Sequence, residues 1–303
     1  MRGVFVDANE SLAVILERLA RPGDPPVAIH RDPDITSDQY PDILDDAEIA
    51  IVDHTALPTD VARKCAGLKH VVFLGTGARS YMNPEELAEL GINVHLIKGY
   101  GDTAVAECAI ALMWSAARGL AQMDREMRAG NWLRDDGMQL TGKTLGLIGF
   151  GGIAAEVARI ALGSGIKVIA WNRTPKTCPG VEFVGIDALL AQSDVVSLHL
   201  LLNDATRGFL SSQRIAAMKP GVILVNTARG ALVDEAAMIE ALKAGRIRHA
   251  GLDVFNIEPL PLDHPLTKLP NVTLSAHSAF RTPEASENLM AAAWEHCRRI
   301  VNS

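Results

Sequence analysis

Thr144-Leu-Gly-Leu-Ile-Gly-Phe-Gly-Gly-Ile-Ala-Ala-Glu-Val-Ala158 decides how the rest of this 303-residue chain is read. The apolar run 144–148 has the character of a fully buried strand. It breaks at Gly149-Phe-Gly151-Gly152-Ile153-Ala154 and passes into a helix-periodic segment that runs to about residue 162. Strand, glycine turn and helix in that order make the G-x-G-x-x-A form of a dinucleotide-binding turn. Gly149 permits the tight turn, Gly151 lets the backbone approach a pyrophosphate with no Cβ in the way, and Ala154 lets the helix lie close to the strand. The helix N-terminus then offers free N–H groups and a positive dipole end to phosphate. Such a turn can also serve packing alone. A second apolar run, Lys167-Val-Ile-Ala-Trp171, stands at the spacing of a βαβ unit and favours the nucleotide reading.

Outward from this motif, the chain alternates short apolar runs with helical segments. Before it, strands are expected at 3–6, 26–29, 49–52, 71–74 and 93–96, with helices at 11–20, 59–65 and 84–90. Asn83 is a natural cap for the last of these, followed by Pro84 at its first position. Strands separated by single helices predict a parallel sheet, so the first hundred residues read as a small α/β domain. A long helix is expected over 101–127, opening on Asp102 or Thr103 as cap and crossing between domains. After the polar loop 131–138 and the motif, further strands fall at 194–200, 222–226, 249–253 and 272–275, with helices near 186–191, 211–218 and 234–244. This is a doubly wound sheet, whose ligands bind at the carboxyl ends of the strands. A closing helix from 282 to about 301 follows the second sheet and could return to the first domain.

Composition narrows the function. A formal charge of −7 gives no basic excess to attract nucleic acid or anionic lipid. Four scattered cysteines, Cys65, Cys108, Cys178 and Cys297, form no ligand cluster, which suggests a reducing cytoplasmic setting and no structural zinc. Residues 1–7 read as a first strand rather than a signal peptide. The apolar stretch 104–117 contains Glu107 and is too short to span a bilayer.

Three polar residues stand just past strand ends of the second sheet: Arg229, Glu258 and His277. Each alone has an ordinary reading as a surface ion pair, a turn residue or a hydrogen-bonded structural imidazole. Together they make chemical sense. A guanidinium grips a carboxylate in bidentate fashion, and a histidine backed by a carboxylate delivers a proton near neutral pH. Hydride transfer to a 2-oxo acid needs both.

Four segments in order, Gly146 to Ala154, Val225 to Asp234, Gly251 to Pro259 and His277 to Ala285, resemble the D-isomer-specific 2-hydroxyacid dehydrogenases. The resemblance covers nearly all of the chain from residue 101. It implies an α/β protein of two doubly wound parallel-sheet domains: a Rossmann cofactor domain at 100–282, and a smaller flavodoxin-like substrate domain at 1–99 plus 283–303. Arg229 would bind the substrate carboxylate, His277 would protonate the carbonyl oxygen, and Glu258 would hold His277 protonated. The loop Gly75-Thr76-Gly77 would donate backbone N–H groups to the same carboxylate, with Arg79 beside it. Cofactor contacts are implied for Gly149, Gly151, Gly152 and Ile153; for Asn172, Arg173 and Thr174; for Leu200, Thr206, Thr227 and Ala228; and for Asp253 and Ala279. A homodimer is expected, with residues 101–127 contributing.

The segment Trp171-Asn-Arg-Thr-Pro175 bears on the choice of dinucleotide. An acid about 20 residues past the glycines holds the ribose 2′-OH of NAD and repels a 2′-phosphate. Asn172 stands there instead, followed by Arg173, Thr174 and Lys176, so NADP is favoured over NAD. The sequence departs from the family pattern at Ala276, where Pro is common, at Phe280, where a small residue is common, at Leu201 for Pro, and at Cys108 for His. Phe280 puts the size of the substrate in question. The resulting expectation is reduction of a small 2-oxo acid of the glyoxylate or hydroxypyruvate type. Glu258 argues against formate oxidation, and the absence of a Lys/Arg cluster in the first domain disfavours phosphorylated substrates. The alternative is a dinucleotide-sensing interaction protein on the same fold.

Overall fold

In the computed structural model, which describes residues 1–302, every strand pairs in parallel with its neighbours. Parallel pairing requires a crossover between strands, and the helices supplying it bury both sheet faces, so the strands read as continuous apolar runs. The chain divides into two units, Met1–Gly101 with Arg281–Ser303, and Asp102–Phe280.

The first unit begins with β1 (Gly3–Phe5), α1 (Glu10–Arg18), β2 (Val27–Ile29), α2 (Tyr40–Leu44), β3 (Ile49–Val52), α3 (Thr59–Ala62), β4 (His70–Phe73), α4 (Pro84–Glu89) and β5 (Asn93–Leu96). Its sheet runs β2-β1-β3-β4-β5, the flavodoxin-like order. The second unit runs α5 (Asp102–Arg118), α6 (Leu120–Arg128), β6 (Thr144–Ile148), α7 (Gly152–Gly163), β7 (Lys167–Trp171), β8 (Val181–Phe183), α8 (Ile186–Gln192), β9 (Val195–Leu198), α9 (Ser212–Ala217), β10 (Val222–Asn226), α10 (Glu235–Lys243), β11 (Ile247–Leu252) and β12 (Val272–Leu274). Its sheet order is β12-β11-β10-β9-β6-β7-β8, the Rossmann arrangement with one added edge strand. The last helix, α11 (Pro283–Val301), belongs to the first unit.

Alternation along each strand divides the cores. In β10, Ile223 and Val225 pack with α5 and α7 residues such as Met113 and Val157, while Val222 and Leu224 pack with Leu189, Ile215 and Met238 on the opposite face. In β3, Ile49 and Ile51 face Leu16 of α1 and Met290 and Trp294 of α11, and Ala50 and Val52 face Leu44, Val61 and Leu87.

Four expectations change. The helix expected over 101–127 is two helices meeting at 65°, because Gly119 takes a left-handed φ of +60° that ends α5. Neither α2 nor β8 was anticipated: α2 is too short to show a period, and β8 is a three-residue edge strand carrying Glu182. Asp102 lies inside α5 as its first residue rather than capping it. The first unit also takes two more residues at each junction than expected. Tyr100 packs on its core and accepts a hydrogen bond from Asn288 Nδ2, and Thr282 caps α11 by accepting from Ala285 N.

Among the described residues no single helix is long and apolar enough to cross a membrane, and no three His, Cys, Asp or Glu side chains are placed to hold a metal ion. The four cysteines are free.

α11 is fastened to the first unit by two kinds of contact. The Trp294 indole N–H donates to Leu16 O at 2.8 Å, and the Arg298 guanidinium makes a fork on Asp24, at 2.7 Å to Oδ1 and 2.8 Å to Oδ2. The fork pulls the Asp24 carboxyl down to about 2. A carboxyl whose folded pKa is depressed stabilises the fold above its unfolded pKa and loses that contribution as pH falls through the folded value. Asp24→Asn is therefore expected to cost about 1–3 kcal/mol near neutral pH in urea unfolding. The gap to wild type should close between about pH 4 and about pH 2; a gap independent of pH would contradict the assignment.

Candidate active site

The seven-stranded sheet brings all its carboxyl ends to one edge, about 4.8 Å apart from strand to strand. Chain order reverses between β9 and β6, which creates the crevice where ligands of such sheets bind. Gly149 lies in that crevice. Its φ is +89°, and a Cβ on it would come within 2.5 Å of His199 O at the end of β9, so both backbone angle and space demand glycine.

The next two glycines meet different surroundings. Beside Gly151 nothing lies within 4 Å of where a Cβ would be, whereas a Cβ on Gly152 would overlap Asp102 Oδ2. α7 starts at Gly152 with no side chain capping it, Ile153 is half-buried in its first turn, and Ala154 is fully buried. Asn172, just past β7, ties the turn from outside. Its Oδ1 accepts from Phe150 N at 3.1 Å, its Nδ2 donates to Thr174 O at 2.7 Å, and Lys176 Nζ donates to Phe150 O at 2.6 Å. Lys176 is thus committed to the turn. Arg173 is exposed and has no hydrogen-bond or ion-pair partner among the described residues.

Arg229, Glu258 and His277 follow β10, β11 and β12, three adjacent strands. Asn226 shapes the first turn by donating from Nδ2 to Arg229 O at 2.9 Å and accepting from Ala228 N at 3.0 Å. A Cβ on Gly230 would overlap the backbone of Phe255 and Asn256, so this glycine lets the Arg229 turn pack directly against the chain leading to Glu258. The Glu258 carboxylate accepts from Phe255 N at 2.8 Å through Oε1 and meets His277 Nδ1 at 2.6 Å through Oε2. An ionised carboxylate only accepts, so Nδ1 carries the hydrogen and Nε2 is the nitrogen left for other work. Both side chains are about a third exposed. Phe280 stands edge-on to the His277 ring, with centroids 6.3 Å apart.

His277 has a left-handed φ of +48°, uncommon for a residue with a side chain. Asp253 holds it there. Asp253 is fully buried at the end of β11, and its carboxylate accepts from Ser275 Oγ at 2.5 Å, Ser278 N at 3.0 Å and Ala279 N at 3.0 Å, while its carbonyl accepts from His277 N at 2.8 Å. Asp253 thus anchors the loop, and the buried Ala279 has its N–H committed to that anchor. The Thr206 hydroxyl donates to Leu201 O at 2.6 Å and accepts from Asn203 N at 2.8 Å, closing its own loop. Leu200 is half-buried and close to Gly149.

Three features fit a dinucleotide on this edge: the uncapped start of α7, the open space beside Gly151, and Thr227. Thr227 Oγ1 is the one buried side-chain polar atom without a partner among the described residues. An orphaned hydroxyl of this kind is what a bound molecule would satisfy. Asn226 and Gly230 went unnoticed in the sequence. A polar residue closing an apolar strand, as Asn226 does, is the signal that could have found the first.

In the first unit, Gly75 N donates to Phe73 O at 2.8 Å. Thr76 is exposed and Gly77 half-buried, and their N–H groups have no partner among the described residues. Two such neighbouring donors suit an anion. Arg79 is paired with Glu85 on the surface.

Replacing Asp253 by Ala would leave the buried Ala279 N–H, the Ser278 N–H and a serine hydroxyl without their partner, so a loss of about 2–3 kcal/mol in urea unfolding is expected. Unchanged stability would contradict the anchoring role.

Comparison with known proteins gives the family to which this fold belongs. The family model described as D-isomer specific 2-hydroxyacid dehydrogenase, NAD binding domain, matches residues 110–279. A hydroxypyruvate reductase from Thermotoga maritima is 37% identical, with 84% of this chain and 85% of that one covered. A glyoxylate reductase from Thermococcus litoralis is 40% identical over 68% of this chain and 66% of its own length. Among solved structures, an acyclic imino acid reductase in complex with NADPH and D-Arg superposes with a TM-score of 0.86 at 29% identity, covering 100% of this chain and 97% of that one. With a cofactor-domain match over more than half its length, on a sheet whose switch point carries the glycine turn, the chain belongs to the D-isomer-specific 2-hydroxyacid dehydrogenases, enzymes that work with a nicotinamide dinucleotide.

Proposed function

We propose that this dehydrogenase reduces a small 2-oxo acid of the glyoxylate or hydroxypyruvate type to the D-2-hydroxy acid, with NADP(H) preferred. The observation that carries the reading is the 2.6 Å contact between His277 Nδ1 and Glu258 Oε2, with Arg229 on the adjoining strand end. The bound cofactor supplies the hydride. Arg229 grips the substrate carboxylate, and its charge draws electron density toward the neighbouring carbonyl oxygen. His277, doubly protonated beside the Glu258 carboxylate, gives its Nε2 proton to that oxygen and keeps Nδ1–H on Glu258 as it becomes neutral. Glu258 thus holds the ring in one orientation through both states, and Phe280 stands edge-on to that ring, limiting the room beside it.

The preference for NADP(H) rests on Asn172 and Arg173. No carboxylate stands at Asn172 to repel a 2′-phosphate, its amide is spent on the glycine turn, and the unpaired Arg173 guanidinium is free to meet one.

Purified protein offered glyoxylate, hydroxypyruvate and pyruvate with NADPH or NADH tests the whole reading by loss of nicotinamide absorbance. Arg229→Ala, Glu258→Gln and His277→Ala are each expected to lower kcat/KM by about 100-fold or more. Asn172→Asp with Arg173→Ala should move the preference toward NADH. A His277→Ala enzyme near wild-type rate would remove the acid assignment, and cofactor binding without turnover of any acid would favour a sensing role.

The same proposal includes a homodimer seated on α6 and the loop after it. Leu120, Met127 and Trp132 are 52%, 53% and 74% exposed, an apolar display that water disfavours. Sedimentation should give a dimer that Trp132→Glu with Met127→Glu converts to monomer; a wild-type monomer at micromolar concentration would contradict it.

A further inference from the structure

Asp102, the first residue of α5, rests its carboxylate against the first residue of α7. Gly152 is glycine to make room for that carboxylate, while the neighbouring Gly151 opens onto free space. The Asp102 carboxylate makes no hydrogen bond or ion pair among the described residues, although the residue is half-buried. Burial, and to a lesser degree Glu156, raise its pKa above the usual carboxylate value. Glu156 and its ion-pair partner Arg159, 2.9 Å away, are the charged side chains on α7 nearest this point. On α5 the next acid, Glu107, is five residues further and off the Asp102 face. A negative side chain therefore sits, without a partner, at the positive end of the helix whose first N–H groups suit a pyrophosphate.

We propose that Asp102 couples dinucleotide binding to proton uptake: pyrophosphate and carboxylate compete for the start of α7, and the complex forms with a proton taken up by Asp102. The inference rests on reading the glycine turn as the dinucleotide site. Bringing the negative pyrophosphate beside a half-buried carboxylate raises the carboxyl pKa further, and by linkage affinity rises as pH falls. One linked proton bounds the effect at about tenfold in affinity per pH unit. It also makes the ionised Asp102 a brake on binding at alkaline pH.

The test uses NADH, which lacks the 2′-phosphate and so brings no titrating group of its own to this range. Its dissociation constant is measured by nicotinamide fluorescence from about pH 8 to about pH 5.5, for the full chain and for Asp102→Asn. Wild-type affinity is expected to rise toward low pH. Asp102→Asn is expected to bind about tenfold tighter at the alkaline end, with a flatter profile. Calorimetry in two buffers of different ionisation enthalpy should show more proton uptake by wild type than by the variant, and Asp102→Ser provides a second neutral side chain should the amide disturb α5. Equal slopes in wild type and both variants, or weaker binding by both variants, would overturn the proposal while leaving the dinucleotide site intact. Failure of every form to bind NADH or NADPH would remove the site reading, and this inference with it.

Discussion

The carboxylate of Asp253 is the contact on which the candidate active-site edge depends. It sits fully buried at the end of β11 and gathers a hydroxyl and two backbone N–H groups from the loop that follows β12. A buried acid is tolerable only when its lone pairs are met, and here they are met by the segment carrying His277. That arrangement holds His277 in a left-handed conformation it would not adopt alone, and brings its ring to Glu258, which follows the same strand as Asp253. One strand end thus supplies both the anchor of the histidine loop and the acid that orients the imidazole.

Glycines do comparable work on the other side of the edge, each for a different reason. Gly149 is required by its positive φ and by the carbonyl of His199, Gly152 by the Asp102 side chain, and Gly230 by the backbone of Phe255 and Asn256. Of Gly149, Gly151, Gly152 and Gly230, Gly151 alone has empty space in the direction a Cβ would take. Three of the four are spent on close packing of protein against protein, and one is left open to a ligand. A glycine-rich motif is therefore less uniform than its pattern suggests. The polar side chains of the edge divide in the same way: Asn172, Lys176, Asn226 and Thr206 hold turns in shape, and Arg173 and Thr227 Oγ1 are left without partners among the described residues.

The return of α11 to the first unit follows from the same economy of burial. Its apolar stripe of Leu289, Met290, Ala293 and Trp294 covers the face of the sheet shared with α1, and the Arg298–Asp24 fork closes the far end. Burying that stripe after the second sheet is complete makes the first unit discontinuous in sequence, and it is why the junctions fall at Gly101 and Arg281.

Local pattern alone determined the succession of strands and helices, the parallel pairing, the glycine turn and the placing of Arg229, Glu258 and His277 just past strand ends. These are readable because buried parallel strands are continuous apolar runs, and because polar residues at their ends stand out against them. Where the pattern was short or weak, as at α2 and β8, elements passed unseen, and a single left-handed glycine at 119 turned one expected helix into two. The tertiary structure alone decided which polar groups are free. The Asp253 carboxylate, the Ala279 and Gly75 N–H groups and the Thr206 hydroxyl each have partners within the protein that their sequence positions do not announce. Asp102 was legible only as a helix start, and its place against Gly152 appears only when α5 packs on α7. A residue's type and spacing state what it can bond, whereas partners distant in sequence decide what it does bond, and packing of the sheet and its helices is what brings them within reach.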